Sequence, residues 1–500
     1  MAKQLFLFFL ISLCLHDING QNDSLRYDYN WVLGYMRIPD SPFINLLDFN
    51  HAPFEIQKFP VTTWPLRSPC PMSDKAGELI LFANGCEIYG KDGNVLVNGE
   101  QMTPDVWVYD GYCPNFYPVT QSLLMLPDPA KDSLFYLFAI GHRQSTGAGI
   151  HGWGLYASRL SEKEVFEKNM IVCADSIFRS HLTACRHANG RDWWLVLNKI
   201  KSNQYYKYLL DPTGIHFFDL QAIGSPTSWE GTATGQSAFT PDGTGFIHYD
   251  NVTDIYVYDF DRCSGALSNF RHVNIENNED TGNSLGGMAI SPNSRFAYTF
   301  NYLYSYQIDL YAPDLQTSVT QVAYWDSTYV NNVWPTVFGK AALAPDGKIY
   351  SAVPGSNPYL HVIHNPDAKG DSCDFEQHGI FLPFSWNNND IVNFPNFRLG
   401  RMEGSACDTV YTGTNEVAGG KSEVKIFPNP NTGTFQIQLP SRNAPEWNIE
   451  IFDLNGRSRW QSTSLSNDVQ VSSLPSGFYT LVCIDSRNGR RITERLIIQN

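Results

Sequence analysis

Apolar-rich stretches of strand length recur along this chain, and toward its end apolar and polar positions alternate with a period of two. Short clusters of Gly, Pro, Asn, Asp and Ser separate these stretches at near-regular intervals. That period belongs to half-buried β-strands, and the clusters to the turns between them. One motif returns six times: small residues, a tight turn, then an aromatic-rich strand. The six segments are CPMSDKAGELILFAN, LLMLPDPAKDSLFYLFA, LTACRHANGRDWWLVLN, QSAFTPDGTGFIHYD, GMAISPNSRFAYTFN and AALAPDGKIYSAV, with turns centred on Gly77, Asp132, Gly190, Gly243, Ser294 and Gly347. Successive centres lie 55, 58, 53, 51 and 53 residues apart. A third strand follows in most units, as in GLYASRL, YYKYLLD, IYVYDFD, YSYQIDL and YLHVIHN. Helical periodicity is confined to SEKEVFEKN, which argues against a parallel α/β fold, and a β-solenoid would repeat at a much shorter spacing. Units of three or four short strands at this interval are the pattern of propeller blades.

Six units leave both ends of the body over. The stretch IVNFPNFRLG at 391–400 reads as an inner strand without partners, and WVLGYM, INLLDF and FEIQKF at 31–59 read as three strands without an inner one. Joined, they make a seventh blade closed by the two chain ends, which removes an exposed sheet edge. The expected fold is all-β: a seven-bladed β-propeller over 27–405 followed by a small Ig-like β-sandwich over 424–500. The segment TGTNEVAGGKSE at 412–423 is a Gly-rich linker between them.

In the final stretch Phe435, Ile437 and Leu439 alternate with polar residues, as do Trp447, Ile449 and Ile451; FPNP, Asn455-Gly456 and Pro475-Ser476-Gly477 supply turns. The blocks FPNP followed by Gly and an alternating strand, I-x-DLNGR, and L-x-x-G-x-Y stand in that order at the terminus. In them the tail resembles the type A C-terminal sorting domain of the Bacteroidetes type IX secretion system. That resemblance implies export to the outer surface or the medium, with the secretion machinery as partner of the tail. The body resembles a family of secreted Bacteroidetes propeller proteins with the same tail, through LFANGCEIYGKDG, RHANGRDWWLVLNK, FDRCSGALSN, AISPNSRFAY, LAPDGKIY and NFPNFRLG followed by GSACDT. This second resemblance implies the fold and brings no activity.

The other terminus agrees with export. Lys3 precedes an apolar run from Leu5 to Leu15, and small and polar residues follow to Gly20 and Gln21, so 1–20 reads as a signal peptide. No stretch reaches the roughly 18 uninterrupted apolar residues of a membrane helix. The charge balance is 35 basic against 50 acidic, net −15, without a basic run, which excludes a grip on nucleic-acid phosphates. Ten cysteines include Cys14 in the leader and Cys483 in the tail. Among the remaining eight, Cys86 and Cys113 fall on the same rim in this register and are the expected disulfide. Cys173 and Cys185 would lie three strand spacings apart, too far to bridge.

Chemistry is harder to find. No C-x-x-C, H-E-x-x-H, G-x-S-x-G or phosphate-binding glycine loop occurs, and neither a metal nor a cofactor is expected. Arg186-His187 beside Asp192 sits at the inner-strand turn and reads as structure, and Trp193-Trp194 as packing between blades. His361 and His364 fall on opposite faces of one strand. Topology is the better guide. One rim gathers the loops entering each inner strand and those joining the second and third strands: Arg67, Asn84, His142, Arg143, His181, Lys199, Gln236, Asp250, Asn301, Lys340 and Asn393. This set is basic within an acidic chain and would suit an acidic glycan or a surface protein at the channel mouth, with His142, Arg143, His181, Lys199 and Lys340 facing it. A non-catalytic binding protein is the expectation. The alternative is a propeller hydrolase, lactonase-like or polysaccharide-degrading, which needs a metal or paired carboxylates at that mouth; the rim set holds one acid, Asp250.

Overall fold

The structure, a computed structural model, describes residues 25–408 and 425–499. Excepted are 35, 38–42, 62–67, 104–105, 114–116, 118, 145–149, 179, 228–234, 251, 277–285 and 390 in the body, and 439–446, 454–456, 463–468, 472–473 and 486–490 in the tail. The expected signal peptide at 1–20, the expected linker at 412–423 and Arg67 lie outside the described residues. The chain divides into two compact units, Met1–Thr409 and Val410–Asn500.

The described part of the first unit folds into seven antiparallel sheets of three or four strands, with two further two-stranded ladders. In order they are blade 1 (Asn30–Leu33, Phe43–Asp48, Glu55–Pro60), blade 2 (Cys70–Ser73, Leu79–Ala83, Ile88–Gly90) and blade 3 (Leu123–Pro127, Phe135–Gln144, Ile150–Leu160, Val165–Cys173). Blade 4 (Thr183–Arg186, Trp193–Asn198, Gln204–Asp211, Gly214–Ala222) and blade 5 (Gly235–Phe239, Gly245–Asp250, Asp254–Phe260, Leu267–Val273) follow. Blade 6 (Gly286–Ile290, Phe296–Asn301, Tyr304–Asp309, Thr320–Tyr324) and blade 7 (Ala341–Leu343, Ile349–Ala352, Tyr359–Ile363, Phe375–Phe381) complete the series. The first-named strands of blades 1 to 3 lie side by side, as do those of blades 4 to 7. The ring closes where Trp31, Leu33 and Leu47 of blade 1 share a buried cluster with Tyr350, Ala352 and Leu360 of blade 7. The body is a β-propeller.

Burial falls from the axis outward. Inner and second strands are buried on both faces, as WWLVLN and FAYTFN are throughout, which is why they read as apolar runs rather than strict alternations. Large rings fill the wedge between blades: Trp194 is buried and donates Nε1–H to the Arg262 carbonyl at 2.8 Å. Trp193 meets Phe397 edge-on at 5.7 Å. The tight turns between first and second strands need a left-handed residue. Gly243 and Gly347 supply it with φ of +74° and +78°, and a Cβ on Gly243 would press to 2.7 Å from Arg262.

The closure differs from the sequence expectation. Residues 391–400 form no strand with blade 1; Asn30–Leu33 is itself the inner strand there. Pro395 lacks a donor for a ladder, and the neighbouring amides bond elsewhere. Asn393 donates Nδ2–H to the carbonyls of Leu123 (2.9 Å) and Leu182 (2.7 Å), and Asn396 to that of Pro241 (2.7 Å). The segment therefore packs against the inner strands of blades 3, 4 and 5. The C-terminal side of the body still returns to blade 1, through a ladder of Met36–Arg37 with Ser385–Trp386. Asn45 clasps the same place, donating to the Ser385 carbonyl at 2.9 Å and accepting from the Phe384 N–H at 3.0 Å.

Disulfides join Cys86 to Cys113 and Cys263 to Cys407. The sequence pattern gave no signal for the second, which ties the 401–408 segment to the turn after the third strand of blade 5. Cys173 and Cys185 are separately buried thiols.

The second unit is a two-sheet sandwich. One sheet holds Lys425–Phe427, Thr434–Gln438 and Val469–Gln470; the other holds Ser458–Ser462, Trp447–Phe452, Gly477–Asp485 and Arg491–Ile498. Phe435, Ile449, Ile451, Leu481 and Leu496 form the core between them. In FPNP, the prolines remove donors on both sides of Asn429, and its side-chain amide takes their place. It donates to the Arg495 carbonyl at 2.6 Å and accepts from the Ile497 N–H at 2.8 Å.

Candidate functional site

Apart from Arg67, outside the described residues, and Asn393, in the strandless 391–400 segment, the expected rim residues lie near the starts of inner strands and the ends of second strands, yet they form no single open site. Three of them are turn formers at equivalent positions. Asn84 Oδ1 accepts the N–H groups of Cys86 and Glu87, both at 2.9 Å. Asp250 Oδ1 accepts those of Val252 (2.8 Å) and Thr253 (2.7 Å), and Asn301 Oδ1 that of Tyr304 (3.1 Å). These side chains shape the loop between second and third strands, as Asx turns do.

Others lace the blades together. Gln236 Oε1 accepts from Met288 N–H at 2.9 Å and Ala341 N–H at 2.8 Å, while its Nε2–H donates to the Ala341 carbonyl at 3.0 Å. Gln121, not among the expected residues, does the same to Ser237, accepting at 3.0 Å and donating at 2.7 Å. Asn393 adds its bonds to blades 3 and 4. Gln121 and Gln236 each both donate to and accept from backbone, so each mimics a residue of an added strand, and all three amides satisfy inner-strand groups that would otherwise face the axis. Replacing Gln236 by Leu is expected to cost about 2–3 kcal/mol, because three backbone groups lose their partner in a buried place. The urea midpoint reads this, and an unchanged midpoint would mean the edge finds other partners.

A charged cluster lies beside this girdle. His181 and His248 stack with ring centroids 4.4 Å apart, and His248 Nε2 is 3.1 Å from Asp250 Oδ2. His181 takes the Tyr249 carbonyl at 3.0 Å and Ser180 Oγ at 2.8 Å. Lys340 donates Nζ–H to the Gly235 carbonyl. All four side chains are buried. Burial, and then the neighbouring His248 and Lys340, hold His181 well below the ordinary imidazole value. Burial alone would raise the Asp250 carboxyl; hydrogen bonds from His248 and Thr253 outweigh it and bring it to about 2.

The remaining rim cations go elsewhere. His142 is buried with Nδ1 3.1 Å from the Tyr117 hydroxyl, and Lys199 pairs with Asp175 at 2.7 Å. Arg143 is exposed and lies over Trp153, 3.3 Å from the ring centroid. A basic mouth made jointly by His142, Arg143, His181, Lys199 and Lys340 is therefore not assembled, since most of these groups bond within or between blades. A polar residue just before an apolar inner strand, recurring in several units, was the signal that could have pointed to Gln121 and to lacing.

Two concavities stand out among the described residues. One, of about 240 Å³, runs along the inner strands from Gln121, Gln236 and Asn393 to the tight turns at Pro241, Pro292 and Pro345, beside the 392–399 segment. The bidentate Arg398–Asp28 pair, with both contacts at 2.8 Å, stands in its wall. The other, of about 910 Å³, is a groove between blades 2 and 3 that includes Arg143 and Trp153. Among the described residues, no three His, Cys, Asp or Glu side chains come together as a metal site, and no helix is long and apolar enough to cross a membrane.

The tail decides one part of the biology. Residues 425–499 match the secretion system C-terminal sorting domain. The sorting domain is that of type IX secretion, and it marks the chain as a secreted or cell-surface protein. No curated protein matches the chain. Among solved structures it is similar to PorZ, described as an essential surface component of the type IX secretion system of Porphyromonas gingivalis. That likeness has 13% identity and a TM-score of 0.33, covering 91% of this chain and 63% of PorZ. A gluconolactonase from Xanthomonas campestris shares 11% identity at a TM-score of 0.31, over 64% of this chain and 94% of the enzyme. A putative TolB from Agrobacterium tumefaciens shares 15% at 0.28, over 52% and 84%. This chain thus spans a little under two thirds of PorZ.

Proposed function

We propose that the propeller is a non-catalytic binding module, delivered to the outer surface by its sorting domain to capture a glycan there. The observation that supports this reading is how the axial polar groups are used. Gln121, Gln236 and Asn393 are bonded to inner strands, and His181, His248, Asp250 and Lys340 are buried in contact with one another or with backbone. A hydrolase would need such groups at a mouth that substrate reaches. In this ring they fasten the blades, and the binding capacity lies on the outer surface.

The test is to offer the secreted protein an array of surface glycans and to follow bound material chemically. Retention with the ligand recovered intact is expected. Consumption of a lactone or glycan, with loss of that activity in Asp250→Asn or His248→Gln, would replace this reading by the hydrolase one.

A further inference from the structure

Between the last strand of blade 6 and the first of blade 7 the chain makes a short hairpin, Tyr329–Val330 paired with Trp334–Pro335. Asn331 and Asn332 shape its tip, with left-handed φ of +54° and +56°, a region asparagine enters more readily than most residues. The Val333 N–H closes the tip by donating to the Val330 carbonyl at 3.1 Å. At the base the Thr336 N–H donates to the Thr328 carbonyl at 3.0 Å, and Trp325 Nε1–H donates to Thr336 Oγ1 at 3.3 Å. The hairpin is thus fixed at both ends, yet Tyr329, Val333 and Trp334 are exposed on it. Side chains alternate between the faces of a strand, so Trp334 shares one face with Val330 and Tyr329 the other with Pro335. The Tyr329 ring meets Trp325 edge-on at 5.2 Å. The Trp334 indole is differently placed: among the described residues no ring stacks on it and its Nε1–H has no acceptor. It borders Gly355, in the loop between the second and third strands of blade 7, where a Cβ would come 3.6 Å from the ring. Gly355 is held in turn by Asn388, whose Oδ1 accepts the Gly355 N–H at 2.9 Å. That bond fixes the Asn388 amide and leaves its Nδ2–H donors uncommitted among the described residues.

An exposed aromatic ring on a rigid loop, with no packing duty, is a recognition element in search of a partner. The sequence says which kind. From Thr328 to Gly339 there is no Asp, Glu, Lys, Arg or His, within a chain of net charge −15. A ligand here meets a flat apolar face and neutral donors, with no charge to balance. A stable protein interface buries roughly 800 Å² per partner, whereas a whole aromatic side chain offers about 150–250 Å². Polar Ser327, Asn331 and Asn332 flank the rings of this hairpin, so the apolar area stays small. It matches one sugar ring instead. A hexopyranose turns C–H groups outward on one face, which suit the indole, and carries hydroxyl oxygens at its rim, which can accept from indole and amide N–H groups. From this placement we infer that Trp334, with Asn388 beside it, is a stacking subsite for a neutral hexopyranose unit of the captured glycan. The inference rests on the binding reading above and assigns it a place and a sugar class. It puts recognition on the rim at the junction of blades 6 and 7, away from the buried charges at the axis.

The experiment is titration of the secreted protein with neutral tetramers of galactose, glucose and mannose, and with a galacturonic acid tetramer for comparison. At least one neutral tetramer is expected to bind, with an affinity that salt leaves unchanged. Trp334→Ala should weaken that binding about tenfold or more, while Trp334→Phe, which keeps a ring, should stay within about threefold of the parent. Asn388→Asp retains the oxygen that holds Gly355 and removes the donors, so a loss of about fivefold is expected. Tyr329→Ala, on the other face of the hairpin, should bind as the parent does, and all four variants should melt with it. Neutral-sugar binding that Trp334→Ala leaves intact would overturn the subsite while the binding reading stands. Binding of the acidic tetramer alone, or of no tetramer while the array still retains a glycan, would overturn the neutral hexose assignment. Capture of an envelope protein through Trp334, without any saccharide binding, would overturn the ligand class. Failure to retain any glycan on the array would instead remove the reading on which the inference rests.

Discussion

Trp31→Ala is expected to destabilise the propeller by about 3–5 kcal/mol, the range for deleting a large buried ring. Trp31 is fully buried in the inner strand of blade 1. Its indole meets Phe49 at 5.1 Å within its own blade and Tyr350 of blade 7 at 5.8 Å, and its Nε1–H donates to the Asp28 carbonyl at 3.1 Å. The cavity would open at the seam where the ring closes, so loss of packing there also loosens two blades from one another. Trp334→Ala makes the comparison fair: that indole is 38% exposed, in the short hairpin of Tyr329–Val330 with Trp334–Pro335, and its loss should stay within about 0.5 kcal/mol. Denaturant midpoints at unchanged m-value separate the two. Equal midpoints for Trp31→Ala and the parent would mean that the ring does not close through blade 1.

Acid should weaken the body below about pH 6.5, and the buried His361 is one cause. Its ring is fully buried in the third strand of blade 7. Nδ1 accepts the His378 N–H at 3.0 Å, and Nε2 lies 3.3 Å from the Val337 carbonyl. One nitrogen is thus an acceptor and the other a donor, the neutral tautomer, and a second proton would set two donors facing each other. Burial accordingly pushes His361 from 6.5 down to about 3. Because the folded value is the lower one, the unfolded chain binds the extra proton between these limits. Stability therefore falls as pH drops, by about 1.4 kcal/mol per pH unit from this group alone. His181 is depressed likewise by burial and adds a loss of the same sign below 6.5. Asp250, held at about 2, contributes stability above its unfolded value that disappears between about pH 4 and pH 2. In His361→Gln the amide can still donate and accept but does not titrate, so the fall in stability between pH 6.5 and 4 should be shallower by one proton. An unaltered slope would assign the acid sensitivity to other groups.

Much of the scaffold was legible because its signals are local. Tight turns at Gly77, Gly190, Gly243, Ser294 and Gly347 need a left-handed backbone whatever lies around them, and the aromatic strands behind them write the blade period into the chain. The closing segment was misread because periodicity reports which side chains are apolar and says nothing of which backbone groups pair. Phe394 and Phe397 look like an inner strand, but Pro395 and the amides of Asn393 and Asn396 turn the segment into a brace across three blades. The rim was misread for a related reason. Polarity at a loop suggests a ligand, and only contacts show that Asn84, Asp250 and Asn301 bind their own turns. The groove between blades 2 and 3 left no trace in the pattern. It depends on a bulge at Trp153 and on an insertion joined to its blade through bonds between residues far apart along the chain.

The bond between Cys263 and Cys407 decides how the ring answers traction. A pull on the chain beyond residue 408 would, without that bond, run back through 401–408 and draw out the 391–400 brace one amide at a time. With it, the force enters the ring at the turn after the third strand of blade 5. From there it meets four strands held side by side, and the brace between Val392 and Arg401 stays slack. Tethered from its C-terminal side, the propeller would keep the 391–400 brace in place until a sulfur–sulfur bond is reduced.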